Sequence, residues 1–175
     1  CDTTRPAAAK PSAHEPVQAK MLDVIERQVG ALTALVDDLL DISRVRSGKL
    51  VMRTVRVDLR QVLAGAVEMC RSQLEARRHR LELDAGSSAV WVDGDAHRLT
   101  QVVCNLMNNA AKYTPTGGRV EVSLAIAAGE ALLRVADNGI GLLPEMLERI
   151  FDLYEQAPEA TAQPQIEGGL GIGLA

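Results

Sequence analysis

Gln101, Asn105, Asn109 and Lys112 recur at steps of four and three residues, which on a helix puts them on one face. Amides and an ammonium stacked in this way are poor core material, because each must find hydrogen-bond partners. They suit a magnesium–phosphate group: an amide oxygen can enter the octahedral shell of Mg2+, and lysine neutralises phosphate charge. A solvated helix face is the plainer reading of the same spacing. Next comes Asp137-Asn138-Gly139-Ile140-Gly141, directly after an apolar stretch. A carboxylate at a strand end can accept a hydrogen bond from an exocyclic amine such as that of adenine, and glycines let backbone approach a flat ring. An ordinary Asp-Asn-Gly turn would look the same. Ile150 to Gln156 sets Phe151, read as a core anchor, beside a polar stretch, which is how a lid is hinged. Finally, the run Gly168-Gly169-Leu170-Gly171-Ile172-Gly173 exposes backbone N–H groups at a helix start, where anions bind. No Lys-Ser/Thr follows it, so the P-loop pattern is not met. The G-x-G-x-x-G dinucleotide fingerprint and its preceding strand are missing as well.

These groups need elements to hold them. Residues 1–15, rich in Ala, Pro, Thr and Ser, read as a disordered lead-in. Between Pro16 and Gly48 the residues Leu22, Ile25, Val29, Leu32, Val36, Leu39 and Ser43 alternate steps of three and four, a heptad seam that asks for partner helices. Leu35, Leu40 and Ile42 widen it toward a four-helix bundle. The alternative is an amphipathic helix packed on its own domain, against which its unusual length counts. Beyond Gly48, Leu50–Met52 with Val55–Val57 reads as a short strand. Asp58 caps a helix to about Arg77. Arg80–Asp84 and Val90–Val92 read as strands linked by Gly86-Ser87-Ser88, and Asp95 caps a helix to about Lys112, halted by Thr114-Pro115. Arg119–Ala127 and Ala131–Ala136 form a hairpin, and a short helix runs from Pro144 to about Phe151. Residues 155–167 read as a mobile loop. Hairpins dominate the strand connections, which argues for an α+β fold with helices on one face of a mixed sheet.

Composition sets wider bounds. The 175 residues are 47% hydrophobic and 24% charged, enough for one sizeable core and no case for wholesale disorder. A net charge of -4 gives no general pull toward nucleic acid or an anionic membrane. Cys70 and Cys104 sit among apolar neighbours and read as buried free thiols, which suits a reducing compartment. No apolar run reaches the length of a membrane span, so the expected location is cytoplasmic, with a parent that other parts could anchor.

Taken in order, the four groups resemble the N box, first glycine box, F box and second glycine box of the histidine-kinase catalytic domain, within the superfamily of gyrase, Hsp90-type chaperones and mismatch-repair ATPases. The segment from Ile25 to Ser43 is similar to the second helix of that family's dimerisation hairpin, with a likeness to hybrid, PAS-containing kinases. The resemblance implies a two-layer α/β sandwich of the Bergerat type over residues 49–175, C-terminally truncated and lacking the family's final helix and closing strand. The helix 16–48 would precede it and make a homodimer. By the same resemblance ATP and Mg2+ are the cofactors and a response-regulator receiver domain is a partner. Asn109 would be the metal ligand, supported by Asn105, with Lys112 on phosphate and Tyr113 packed at the nucleotide. Asp137 would recognise the adenine amine. Gly139 and Gly141 would shape its loop, and Gly169, Gly171 and Gly173, with Leu170 between them, would line the phosphates.

Hydrolysing members of the superfamily carry a glutamate as general base where this chain has Asn105. An amide accepts no proton near neutral pH, so the resemblance implies phosphoryl transfer to a protein side chain. The phosphoacceptor histidine is expected outside the chain. His14 lacks the family spacing, while His79 and His97 read as solvated surface residues. Glu155, Glu159 and Glu167 stand where family lids offer basic contacts, so weak nucleotide affinity is expected. Two other readings stay open: an ATPase of the superfamily, and a non-catalytic dimerisation module with a decayed pocket.

Overall fold

Two aspartates launch the helices of the larger unit. Asp58 ends β1 (Val55–Asp58) and caps α2 (Leu59–Ala76), its carboxylate accepting from the amides of Arg60 and Val90. Asp95 follows β3 (Trp91–Gly94) and caps α3 (Ala96–Tyr113), accepting from the amides of His97 and Arg98. β1 and β3 pair antiparallel, so both caps rise from one two-stranded ribbon. The other sheet is mixed: β4 (Arg119–Ala127) lies parallel to β2 (Arg80–Asp84) and antiparallel to β5 (Glu130–Asp137). These elements belong to a computed structural model that describes residues 15–49, 51–148 and 150–151. It divides into two compact units, residues 1–50 and 51–175.

The core lies between the helices and one face of the mixed sheet. Leu63, Ala66, Val67 and Cys70 of α2 meet Val103, Cys104 and Met107 of α3 over Val120, Val122 and Leu124 of β4. Period-2 alternation sends the intervening Glu121 and Ser123 to the opposite face. The result is a two-layer α+β architecture with aliphatic packing throughout. Cys70 and Cys104 are both buried and free. Burial, with Cys104 as neighbour, pushes the Cys70 thiol up to about 12, so the thiolate is suppressed and this pair packs as small apolar side chains.

Several local readings need correction. Only Val55–Asp58 is strand; Val51–Thr54 pairs with nothing and Leu50 lies outside the described residues. β2 and β3 belong to different sheets, and β4–β5 is the single strand pair joined by a tight hairpin among the described residues. Its two-residue turn holds Ala128 and Gly129 at φ 52 and 83, the mirror-image turn whose twist suits a hairpin. Among the described residues after β5 there is one 3-10 turn, Pro144–Met146, rather than a helix to Phe151. Phe151 is no core anchor: it is 63% exposed. His79, read as a solvated surface residue, is buried.

In the smaller unit α1 (Glu15–Arg46) runs for 32 residues, about 48 Å at the helical rise. Ile25, Val29, Leu32, Val36 and Leu39 stand exposed along it. The lead-in lies outside the described residues except for Glu15, which begins the helix. Among the described residues no helix is long and apolar enough to cross a membrane.

Asp95 does more than cap. Its Oδ2 also accepts the Arg53 amide at 3.0 Å, tying the segment before β1 to the start of α3. That amide foremost, then those of Arg98 and His97, hold the Asp95 carboxyl below its ordinary value. A depressed folded-state pKa means a stabilising contribution that is present above the unfolded value, about 4, and is lost as pH falls through the folded one. Asp95→Asn is therefore expected to lower the melting temperature at pH 7, and the gap to the parent protein should close in acid. An equal gap at pH 7 and pH 2 would contradict this account.

Candidate nucleotide site

The polar face of α3 is fixed by what its other face buries. Val103, Cys104, Met107, Ala110 and Ala111 are buried against α2 and the sheet. Helical period then leaves Gln101, Asn105, Asn109 and Lys112 half-buried on the other side. At the end of the helix the Lys112 ammonium lies 4.9 Å from the centre of the Tyr113 ring, a cation–π contact that leaves the charge beside an aromatic surface.

Asp137 reaches the same end of α3 from β5. The Tyr113 carbonyl accepts the amide of Ile140 at 3.2 Å, which locks the loop after Asp137 to the last residue of the helix. Gly139 is required there: a Cβ on it would run into the Tyr113 carbonyl. Gly141 has φ +68, a conformation that suits glycine. Asn138 is held apart from the site, exchanging hydrogen bonds with the backbone of Arg119 at 2.7 and 3.2 Å.

Two donors share one oxygen of Asp137. The Gly139 amide donates to Oδ1 at 2.8 Å and the Thr114 hydroxyl at 3.3 Å. Asp137 itself is exposed, while Thr114 is buried with 1% of its surface accessible. One carboxylate oxygen is thus occupied from within, while Oδ2 carries no hydrogen bond among the described residues. Thr114 escaped notice in the sequence, where Thr-Pro reads only as a helix stop. Its place at the C-cap, four residues after the buried Ala110, was the available signal.

Of the expected site residues, the fold therefore brings Tyr113 together with Asp137 and Gly139, and sets Asn105, Asn109 and Lys112 along the helix leading to them. Gly169, Leu170, Gly171 and Gly173 lie outside the described residues. A hollow of about 240 Å³ does exist elsewhere, on the open face of the sheet between β2, β4 and β5. Glu82, Asp84 and Glu121 line it with Arg134 as the opposing charge, an acidic setting that would repel a triphosphate.

The family described as histidine kinase-, DNA gyrase B- and HSP90-like ATPase matches residues 94–175, which takes in α3, β4, β5 and the Asp137 loop. The solved structure of the mycobacterial sensor histidine kinase MprB is 30% identical, superposes with a TM-score of 0.59, and is matched over 69% of this chain and 73% of that one. The chain belongs to the sensor histidine kinases. It carries the ATP-binding catalytic domain of that family. The histidine protein kinase DivJ of Caulobacter vibrioides is 33% identical over 89% of this chain, which spans about a quarter (26%) of DivJ. The histidine kinase ThkA, solved in complex with the response regulator protein TrrA, has the same fold, with a TM-score of 0.64 at 18% identity over 85% of this chain and 42% of that one.

The chemistry of the donor set admits a magnesium ion, since an amide oxygen such as that of Asn109 can enter its shell. Among the described residues no group of three or more His, Cys, Asp or Glu could hold a metal. Asn109 offers one neutral amide oxygen, and Mg2+ commonly takes few protein ligands and fills its octahedron with phosphate oxygens and water.

Proposed function

We propose that this kinase domain binds ATP between Asp137 and the polar face of α3, and passes its γ-phosphoryl group to a histidine outside these 175 residues. The observation that carries the reading is the junction of the Tyr113–Thr114 helix end with the Asp137–Ile140 loop. It ties the loop that carries Asp137 to the end of the helix that carries Asn105, Asn109 and Lys112. Asp137 Oδ2 accepts the adenine amine. Tyr113 packs beside the nucleotide and Lys112 neutralises phosphate charge. Asn109 is the ligand for Mg2+, with Asn105 supporting it; the ion would draw charge from the phosphate oxygens as the bond to the leaving group breaks. Gly169, Leu170, Gly171 and Gly173 would line the phosphates with their backbone amides.

Asn105 argues for transfer rather than hydrolysis. A glutamate there could accept a proton from water; an amide cannot. Phosphoryl transfer needs alignment and charge neutralisation more than covalent help, and this set of residues is built for both. Neither described histidine suits the acceptor role. His79 is buried with its Nε2 hydrogen-bonded to Ala111 O, and His97 sits in the first turn of the helix that would hold the nucleotide. The exposed apolar seam of α1 supports a homodimer through helix 16–48 as the second helix of a dimerisation hairpin, and a response-regulator receiver domain would take the phosphoryl group onward.

The test supplies the missing acceptor. Incubation with ATP labelled at the γ-phosphate and a separately made first hairpin helix should place label on the histidine of that helix. Steady release of phosphate without any histidine substrate would mark a superfamily ATPase instead. Failure of Mg2+ and an ATP analogue to protect the domain from proteolysis would mark a dimerisation module with a decayed pocket.

A further inference from the structure

The last four carbonyls of an α-helix have no partner within it, and at the end of α3 each finds one by a different route. Ala110 O accepts the Thr114 amide and Tyr113 O the Ile140 amide. Ala111 O meets His79 Nε2 at 2.9 Å, and Lys112 O accepts Arg77 Nη1 at 3.0 Å. The two middle carbonyls thus depend on side chains from the connection between α2 and β2. That connection is shaped to deliver them. Arg78 stands at φ 56, where glycine is usual; its amide returns to Glu75 O and that of His79 to Leu74 O. This is the double hydrogen bond of a Schellman cap, and the reversal swings Arg77 and His79 to face α3. The backbone then zips onto the loop after α3, with Gly117 N donating to Arg77 O and Arg80 N to Gly118 O. His79 Nδ1 is buried without a partner among the described residues, so the ring's hydrogen bonding there is spent on Ala111 O alone.

We propose that Arg77 and His79 are positioning residues for the nucleotide site: by holding the carbonyl end of α3 they set Lys112 and Asn109 against the phosphates. This rests on the ATP reading given above. Without the two donors the last turn would have to seek water for its carbonyls, and the residues it carries would lose their fixed place. The adenine end should lose less, since the Asp137 carboxylate keeps the Gly139 amide of its own loop whatever the helix end does. Loss of the clamp should therefore show in the phosphate-dependent part of binding.

Calorimetry on the 175-residue chain with adenosine, and with a non-hydrolysable ATP analogue plus Mg2+, separates the two parts. In His79→Ala and Arg77→Met the preference for the ATP analogue over adenosine should fall about ten-fold, the size expected for a lost buried hydrogen bond. His79→Gln and Arg77→Lys, which keep a donor, should restore it. Arg77→Met carries the test should His79→Ala fail to fold, because Arg77 is only partly buried and keeps its stem. A lowered melting temperature with an unchanged preference would mean a merely structural cap and would overturn the proposal. Asp137→Asn runs alongside: if it leaves both ligands bound as before, the nucleotide reading itself has failed, and the proposal with it.

Discussion

Asp137→Asn should weaken binding of an ATP analogue about a hundred-fold while leaving the fold intact. In the parent protein Oδ1 takes the Gly139 amide and the Thr114 hydroxyl, so it must remain an oxygen. The only place for the new NH2 group is the position of Oδ2. There it would meet the adenine amine donor to donor. The change removes one hydrogen bond to a charged acceptor and leaves two donors facing each other, which together cost about 2–3 kcal/mol, and 1.4 kcal/mol is ten-fold in affinity. Guanine presents a carbonyl where adenine has its amine, so the same substitution should narrow the gap between ATP and GTP analogues. Thr114→Val is the graded companion. It keeps the buried shape and removes one of the two donors that orient the carboxylate, so affinity should fall several-fold, about the value of one net hydrogen bond. Calorimetry with both nucleotides reads these effects, and melting curves check the fold. Unchanged affinity in Asp137→Asn would remove the carboxylate from the base site.

What the sequence revealed follows a physical line between local and distant causes. Asp58 and Asp95 were legible as helix caps because a cap satisfies amides two and three residues away, within the reach of local pattern. The β4–β5 hairpin was legible for the same reason, as two alternating runs joined by a tight turn, although the turn falls at Ala128-Gly129 and the second strand starts at Glu130, one residue earlier than expected. The α+β class also followed from such runs, while the two-layer form came from the family resemblance. The partner of β2 was not legible. It lies parallel to β4, with α3 between them in the chain, and nothing in Arg80–Asp84 distinguishes that neighbour from β3. His79 was misjudged because its flanking arginines look solvated, and its burial is decided by a carbonyl 32 positions away. Phe151 was misjudged in the opposite direction, since a lone aromatic after a short apolar run suggests a core that the described fold does not provide there. At the site, the residue types on α3 and the Asp137 loop pointed to one ligand chemistry. Their meeting at Tyr113 depends on a backbone hydrogen bond that no side-chain pattern encodes.

Asn109→Ala should lower the rate of phosphoryl transfer to a supplied histidine helix by about 10²- to 10³-fold, the usual cost of removing one preorganised stabilising group from a reacting centre. The argument starts from where Asn109 sits. Its neighbours Met107, Ala110 and Ala111 face the core, while Asn109 is half-buried on the other side, so truncation removes an amide without opening a cavity. Melting temperature should therefore hardly move, and alanine, the better helix former, even favours α3. Binding should respond unevenly. In the absence of magnesium the ATP analogue should bind the variant about as well as the parent, because Asp137 and the base site are untouched. With magnesium the parent should gain affinity and the variant should not. Asn109→Asp separates the ligand from the space it fills. A carboxylate can still offer oxygen to the ion, so magnesium dependence should return, although the added negative charge beside the phosphates should keep transfer slow. Transfer by Asn109→Ala at the parent rate would show that the amide holds no metal, and the ion would then have to be placed elsewhere along the helix.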